Sequence, residues 1–366
     1  MSLTAGIVGL PNVGKSTLFN AITQAGAVSA NYPFATIDPN VGIVEVPDQR
    51  LFNLSELVQP QKTIPTAFEF TDIAGIVEGA SKGEGLGNQF LSHIRQVDAI
   101  THVVRCFADD DITHVSGRVD PISDIETINL ELILADLETV MKRYPKVEKL
   151  MKQKDKDAQY EFEVLEKLKD AFEAEQPARA IEFTKEQMKY VKSLHLLTIK
   201  PILYVANVGE DELLEADENE KVQQVKEYAA NEGAGVIVVC AKVESEIAEL
   251  EGEEKAEFLD ELGIEEAGLD QLIKASYDML GLATFFTAGE QEVRAWTFKN
   301  GMTAPQAAGV IHSDFERGFI RAETVSYDDL MEAGSMAKAK EQGNVRLEGK
   351  EYIVKDGDVI HFRFNV

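Results

Sequence analysis

A chain of 366 residues is longer than one hydrophobic core usually serves, so two or three domains are expected. It has no apolar run long enough to cross a bilayer, and Met1 leads straight into Ala5-Gly6-Ile7-Val8 without a basic region or cleavage site, so a cytoplasmic protein with no membrane role is expected. A net charge of −28 excludes whole-body attraction to nucleic acid or anionic lipid; any RNA contact needs a local basic patch, and no DNA sequence specificity is expected.

Residues 1–120 alternate short β-rich runs (5–8, 41–46, 67–71, 101–107) with helical segments (16–24, 88–96), the pattern of a doubly wound α/β sheet. The two cysteines, Cys106 and Cys240, end apolar stretches that read as buried strands and are expected to be free thiols. The six histidines are scattered without metal-ligand spacing, which argues against a zinc site. From Pro121 the strand signal stops. Leu130, Ile133, Leu137, Val140, Tyr144 and Val147 form one apolar stripe at helical spacing, and Tyr160, Val164, Leu168 and Phe172 form a second. Two such helices bury their stripes on each other, predicting an antiparallel arm over 121–198. Strands at 202–206 and 236–240, with a helix near 220–231 between them, resume the first sheet, so the α/β domain comprises 1–120 and 199–280 and the arm is inserted into it. Residues 281–366 read as a small α+β domain, with Asp356-Gly357 as a tight turn between its last strands.

Gly9-Leu10-Pro11-Asn12-Val13-Gly14-Lys15-Ser16 matches G-x4-G-K-[ST] between an apolar strand and a helix, the context that makes it a phosphate-binding loop. Its glycines let backbone N–H groups cradle phosphates, and the helix presents its positive dipole end to them. Asn12, Val13, Gly14, Lys15, Ser16 and Thr17 are the expected phosphate contacts. Lys15 reaches the β- and γ-phosphates, and the Ser16 hydroxyl binds Mg²⁺. At the end of strand 67–71, Asp72-Ile73-Ala74-Gly75 offers a carboxylate to the Mg²⁺ shell and the Gly75 N–H to the γ-phosphate. Thr36, in the polar-aromatic loop 31–37, adds a second hydroxyl for Mg²⁺. The Gly-rich stretch 76–87 has the composition of a segment that changes shape.

With Asn31-Tyr32-Pro33-Phe34, Gly83-Glu84-Gly85-Leu86-Gly87-Asn88 and Val103-Val104-Arg105-Cys106-Phe107, these motifs resemble the Obg-type translation-factor GTPases and, within them, the YchF or Obg-like ATPase subfamily, over essentially the whole chain. The resemblance implies a P-loop G domain, a helical coiled-coil arm and a C-terminal TGS domain, a ubiquitin-like β-grasp module. Guanine-specific relatives carry N-K-x-D, whose Asp accepts both guanine N1–H and N2–H₂; here the stretch is Asn207-Val208-Gly209-Glu210, without the Lys and the Asp. Losing that pairing removes most guanine selectivity. The family departure accompanies a preference for ATP, with adenine near Asn207 and Val208. A GTPase in which Glu210 reaches guanine one methylene further out stays the alternative. Cys240-Ala241-Lys242 resembles the S-A-K loop that supports the base.

The water-orienting Gln of Ras-like enzymes is replaced by Ile76, which cannot hydrogen-bond, so turnover should be slow. The resemblance implies a substitute from elsewhere, and His114 in the 109–119 loop is the candidate, with Lys15 and Gly75 as the other catalytic groups. Asn12 matches the asparagine that helps bind K⁺ beside the phosphates in related enzymes. The arm carries Lys142, Arg143, Lys146, Lys149, Lys152, Lys154 and Lys156, a basic run in an acidic chain. With the TGS domain it is the expected contact to RNA or the ribosome, including its large subunit. Residues 210–220 and 244–266 are dense in carboxylates and read as solvating loops. Two functional classes remain: an ATP hydrolase, and a nucleotide-sensing ribosome-binding switch in which hydrolysis is a slow reset.

Overall fold

The computed structural model describes residues 3–27, 40–73, 86–109, 118–250 and 252–365. Its first elements are β1 (Thr4–Val8), α1 (Lys15–Ala27), β2 (Val41–Glu45), α2 (Gln49–Val58), β3 (Lys62–Ile64), β4 (Ala67–Asp72), α3 (Leu86–Gln96) and β5 (Ala99–Arg105). The arm follows as α4 (Pro121–Lys152), α5 (Lys156–Glu173) and α6 (Lys185–Ser193). Then come β6 (Ile202–Asn207), α7 (Glu220–Glu232), β7 (Gly235–Val239), α8 (Ala241–Ile247), α9 (Gly252–Leu262) and α10 (Gly268–Met279). The chain closes with β8 (Leu282–Ala288), β9 (Glu292–Lys299), α11 (Ala304–Ile311), α12 (Ser313–Arg317), β10 (Phe319–Ser326), α13 (Tyr327–Ala333), α14 (Met336–Glu341), β11 (Arg346–Glu348) and β12 (Asp358–Phe364). These elements form two compact units, Met1–Val44 with Glu69–Ser276, and Glu45–Phe68 with Tyr277–Val366.

The first unit is built on a sheet of order β2-β4-β1-β5-β6-β7, in which β1 pairs parallel with β4 and β5, β5 with β6, and β6 with β7. Every residue of β5 and β6 is buried, as a parallel sheet covered on both faces requires. The strand order reverses at β1, which opens a crevice at the carboxyl ends of the strands, the position where such sheets bind ligands.

The arm leaves this sheet through a well-capped helix. Asp120 accepts a hydrogen bond from the Ser123 N–H and Pro121 occupies the first turn of α4. At the tip Lys154 takes a left-handed φ of 65°, and Asp155 caps α5 by accepting from the Ala158 N–H. Val140, Val147, Val164, Leu168 and Phe172 are buried between the two helices as their spacing predicts. Leu130 and Tyr160 are not: they stay 39 % and 53 % exposed. Near residue 130 α4 packs on β5 and α7 rather than on α5, so its buried face turns to Ile125, Ile128 and Leu132; at the tip Ala158 takes the inward place. Buried Asp136 fastens the returning chain by accepting from the Leu197 and Thr198 N–H groups and the Thr198 hydroxyl.

The second unit has the sheet order β11-β10-β12-β8-β9-β3. The β8–β9 hairpin, β12 parallel to β8, and α11 packed beneath give the β-grasp arrangement around Phe285, Phe298, Ala307 and Phe362. Its other face is closed by α2, α13 and α14 around Leu54, Phe286, Val325 and Leu330. Residues 45–68, read from sequence as part of the α/β domain, group with this unit: β3 pairs parallel with β9, and Arg50 binds both Asp48 and Asp356. Of the strand expected before the Asp356-Gly357 turn, only Arg346–Glu348 forms, with an isolated bridge at Ile353.

Candidate functional site

The phosphate loop leaves β1 at its carboxyl end and needs two left-handed residues, Asn12 at φ 64° and Gly14 at φ 93°. Asparagine tolerates that conformation. At Gly14 no side chain does, because a Cβ there would lie 2.1 Å from Asn207 Nδ2. A Cβ on Gly9 would fall 2.8 Å from the Val103 carbonyl. The loop is thus drawn against β5 and β6, and α1 starts at Lys15 with its first-turn N–H groups lacking intrahelical acceptors. Their positive end of the dipole faces the crevice.

Asn207, at the end of β6 and 3 % exposed, is the clamp. Its Nδ2 donates to the Val13 carbonyl at 2.9 Å and its Oδ1 accepts from the Ala241 N–H at 2.9 Å. One amide therefore joins the phosphate loop, β6 and the start of α8. On the neighbouring strand the buried Arg105 donates to the Phe107 and Asp109 carbonyls at 3.2 Å and lies over the Phe107 ring, which fixes the wall that follows β5. Across the sheet Lys15 forms an ion pair with Asp72 at the end of β4.

These elements surround a cavity of about 860 Å³. Asn12, Gly14, Lys15, Ser16 and Thr17 line it on one side; Asn207, Val208, Cys240 and Ala241 line it on the other. Val13 is buried and contributes its carbonyl to the clamp. Asp72 reaches the site through Lys15. Thr36, Gly75 and His114 lie outside the described residues. Both cysteines are free and buried, and burial pushes the Cys240 thiol above its ordinary range.

Three features were not visible in the sequence reading. Glu210 and Lys242, both lining the cavity, are joined at 2.7 Å. Glu212 accepts from the Gly209 N–H at 3.0 Å and so shapes the segment that follows Asn207. Arg105 was quoted as part of a motif, but its role as a buried brace was not read; a cation following Val103-Val104 at the end of a strand was the available signal.

A glycine-shaped phosphate loop opening a helix, a lysine paired with an acidic strand end, and a second wall built from β6 and α8 define a P-loop nucleotide-binding protein of the G-domain class. Residues 4–161 match a family model described as a 50S ribosome-binding GTPase, and residues 282–365 match the YchF-GTPase_C model, described as a protein of unknown function. The chain is similar over its whole length to proteins named ribosome-binding ATPase YchF, at 78 % identity to that of Bacillus subtilis (strain 168) and 56 % to that of Escherichia coli O157:H7, covering 100 % of each chain. The solved structure of the Schizosaccharomyces pombe YchF GTPase aligns with a TM-score of 0.89 at 39 % identity, over 99 % of this chain and 98 % of that one. The chain belongs to the YchF family.

Proposed function

We propose that the chain is a cytoplasmic, Mg²⁺-dependent ATPase that slowly converts ATP to ADP and whose nucleotide state governs its binding to the ribosome. The observation that carries the base preference is the Glu210–Lys242 ion pair in the cavity wall. The carboxylate that would have to read guanine N1–H and N2–H₂ is engaged by an exposed lysine, a solvent-screened contact of modest strength, which adds to the missing Lys and Asp of N-K-x-D in weakening the choice of GTP. The names of the relatives support ribosome binding and ATP as substrate.

In this reading the α1 N-terminus and Lys15 bind the phosphates. Lys15 leaves Asp72 for the β- and γ-phosphates, which frees the carboxylate. Ser16, Asp72 and Thr36 would hold Mg²⁺, and the fit rests on Asp72 reaching the first turn of α1 through Lys15. When bound, the ion neutralises charge on the β- and γ-phosphates. Asn207 keeps the phosphate loop and the Ala241 backbone in register beside the base. Gly75 donates its N–H to the γ-phosphate, His114 positions water in place of the missing Gln, and Asn12 helps hold K⁺. Ile76, which cannot orient water, supports slow turnover and hence a second role as a nucleotide-sensing switch.

The test is titration of the purified protein with fluorescent ATP and GTP analogues in Mg²⁺. ATP should bind more tightly, and Lys242→Ala, by releasing Glu210, should move the ratio a few-fold toward GTP. A clear preference for GTP in the unaltered chain would make it a GTPase. Steady-state turnover in KCl against NaCl, with His114→Ala beside it, examines the other assignments: equal rates in the two salts remove the K⁺ role, and an unaffected variant removes His114.

A further inference from the structure

Among the described residues of the carboxylate-rich segments 210–220 and 244–266, only Glu210 and Asp211 line the nucleotide cavity, with Glu212 bearing on it through the Gly209 N–H. Leu214, Ala216 and Asp217 of the first segment and Glu244, Ile264 and Glu266 of the second instead meet beside the outer edge of the first sheet. There β7 is the last strand; among the described residues it pairs with β6 alone. No loop backbone among the described residues hydrogen-bonds to residues 236–238. Successive residues of a strand turn their peptide groups to opposite sides, so a strand paired on one side leaves half of them for a partner. Edge strands are normally blunted by a charge, a proline or a bulge; β7 reads Gly-Val-Ile-Val-Val and carries none.

A groove of about 340 Å³ runs along this edge. Val236, Ile237 and Val238 form one wall, and Leu214, Ile264 and Ala216 add apolar surface from the two flanking loops. Leu214 is 70 % exposed, the most exposed large apolar residue among the described residues. The rim is acidic. Segment 210–220 has seven carboxylates and no cation, and segment 244–266 has eleven with one lysine. Lys226 engages Asp217 and Lys274 engages Glu266, while Glu215, Glu218 and Glu265 face solvent.

We propose that this groove docks an extended, basic segment of another protein, which adds to the sheet as a further strand beside β7. Its backbone bonds the free edge, its apolar side chains enter the groove beside Leu214 and Ile264, and its Arg or Lys side chains meet the carboxylate rim. A second copy of this chain fits poorly, because edge-to-edge pairing would bring two such rims together within a Debye length. The proposal is independent of the nucleotide assignment.

The experiment uses the full chain and a capped ten-residue peptide alternating arginine and valine. Controls are its glutamate–valine counterpart and two ester analogues, one replacing the valine amides and the other the arginine amides. Saturable binding of the arginine–valine peptide is expected, with no binding of the glutamate–valine one. At least one ester analogue should bind about tenfold more weakly, the effect of removing a few backbone hydrogen bonds. Leu214→Asp and the double variant Glu215→Lys, Glu218→Lys should weaken binding by a similar factor, with nucleotide affinity unchanged as the check on folding. Absence of saturable binding overturns the proposal. So does binding that neither ester weakens, which would be adsorption by charge alone. Dimerisation in sedimentation that Leu214→Asp abolishes also overturns it, by making a second copy the occupant.

Discussion

Asn207 bears on three backbone segments at once, although its position in the sequence advertises only the base. Replacing it by Ala leaves the Val13 carbonyl and the Ala241 N–H buried without partners, and each such group costs about 1–3 kcal/mol. Asn207→Ala should therefore lower stability by about 2–4 kcal/mol in denaturant unfolding and weaken ATP-analogue binding. Asn207→Asp should retain the Ala241 bond but set a carboxylate oxygen against the Val13 carbonyl, and is expected to lose nucleotide affinity as well. An Ala variant with unaltered stability and affinity would show that the clamp is dispensable. The sequence motif located this residue; it did not reveal the clamp, because the partner Val13 lies 194 positions away. His102 is a second case. It is buried on β5 against Tyr204, its ring nitrogens have no hydrogen-bond partner among the described residues, and burial, with Arg179 nearby, lowers its pKa to about 3. The folded chain keeps it neutral while the unfolded chain protonates it below about 6.5. Stability present above that pH is then lost as pH falls toward 3, at about 1.4 kcal/mol per pH unit from this group. His102→Leu should flatten the pH dependence of unfolding between pH 6 and 4; an unchanged slope would assign the acid sensitivity to other groups.

The two arm helices were legible because their apolar residues recur every three or four positions and need only each other to become buried. Leu168 is fully buried in that seam, and Leu168→Ala is expected to destabilise the arm by about 2–5 kcal/mol. Hydrogen exchange should report faster opening of α4 and α5 with the β5 and β6 amides unaffected; an equal loss of protection in both would mean that arm and sheet unfold as one. The same periodicity misplaced Leu130, since a 32-residue helix changes neighbours along its length and its buried face turns with them. Several strands of the first sheet, β1, β6 and β7 among them, were readable as apolar runs. Strand β3 was not, for Lys-Thr-Ile is too short and too polar to show alternation and becomes a strand only by pairing with β9, more than two hundred residues later. Glu210 meets Lys242 by a similar long-range closure, which is why the candidate base contact carried an open alternative from sequence and gains a specific partner in three dimensions.

For the whole molecule the charge sets a constraint that any ribosome contact must overcome. With a net −28, phosphate-rich surfaces are repelled at long range, so attraction has to come from a place where cations are concentrated and not already neutralised. The arm tip is such a place only in part. Lys142 pairs with Glu138 and Lys152 with Glu148, and Arg143 binds Glu161 on the facing helix at 2.7 Å, holding the arm together. Lys146, Lys149, Lys154 and Lys156 are exposed, and among the described residues no ion pair engages them. If these four meet phosphates, removing them should do more than weaken binding. Each contact releases a counterion, so the quadruple alanine variant should reduce the slope of log K against log salt by about 3 while leaving nucleotide affinity unchanged. Cosedimentation with ribosomes across a salt series measures both quantities. A uniform loss of affinity with the slope intact would mean that the lysines act through the shape of the arm and that the phosphate contacts lie on another surface.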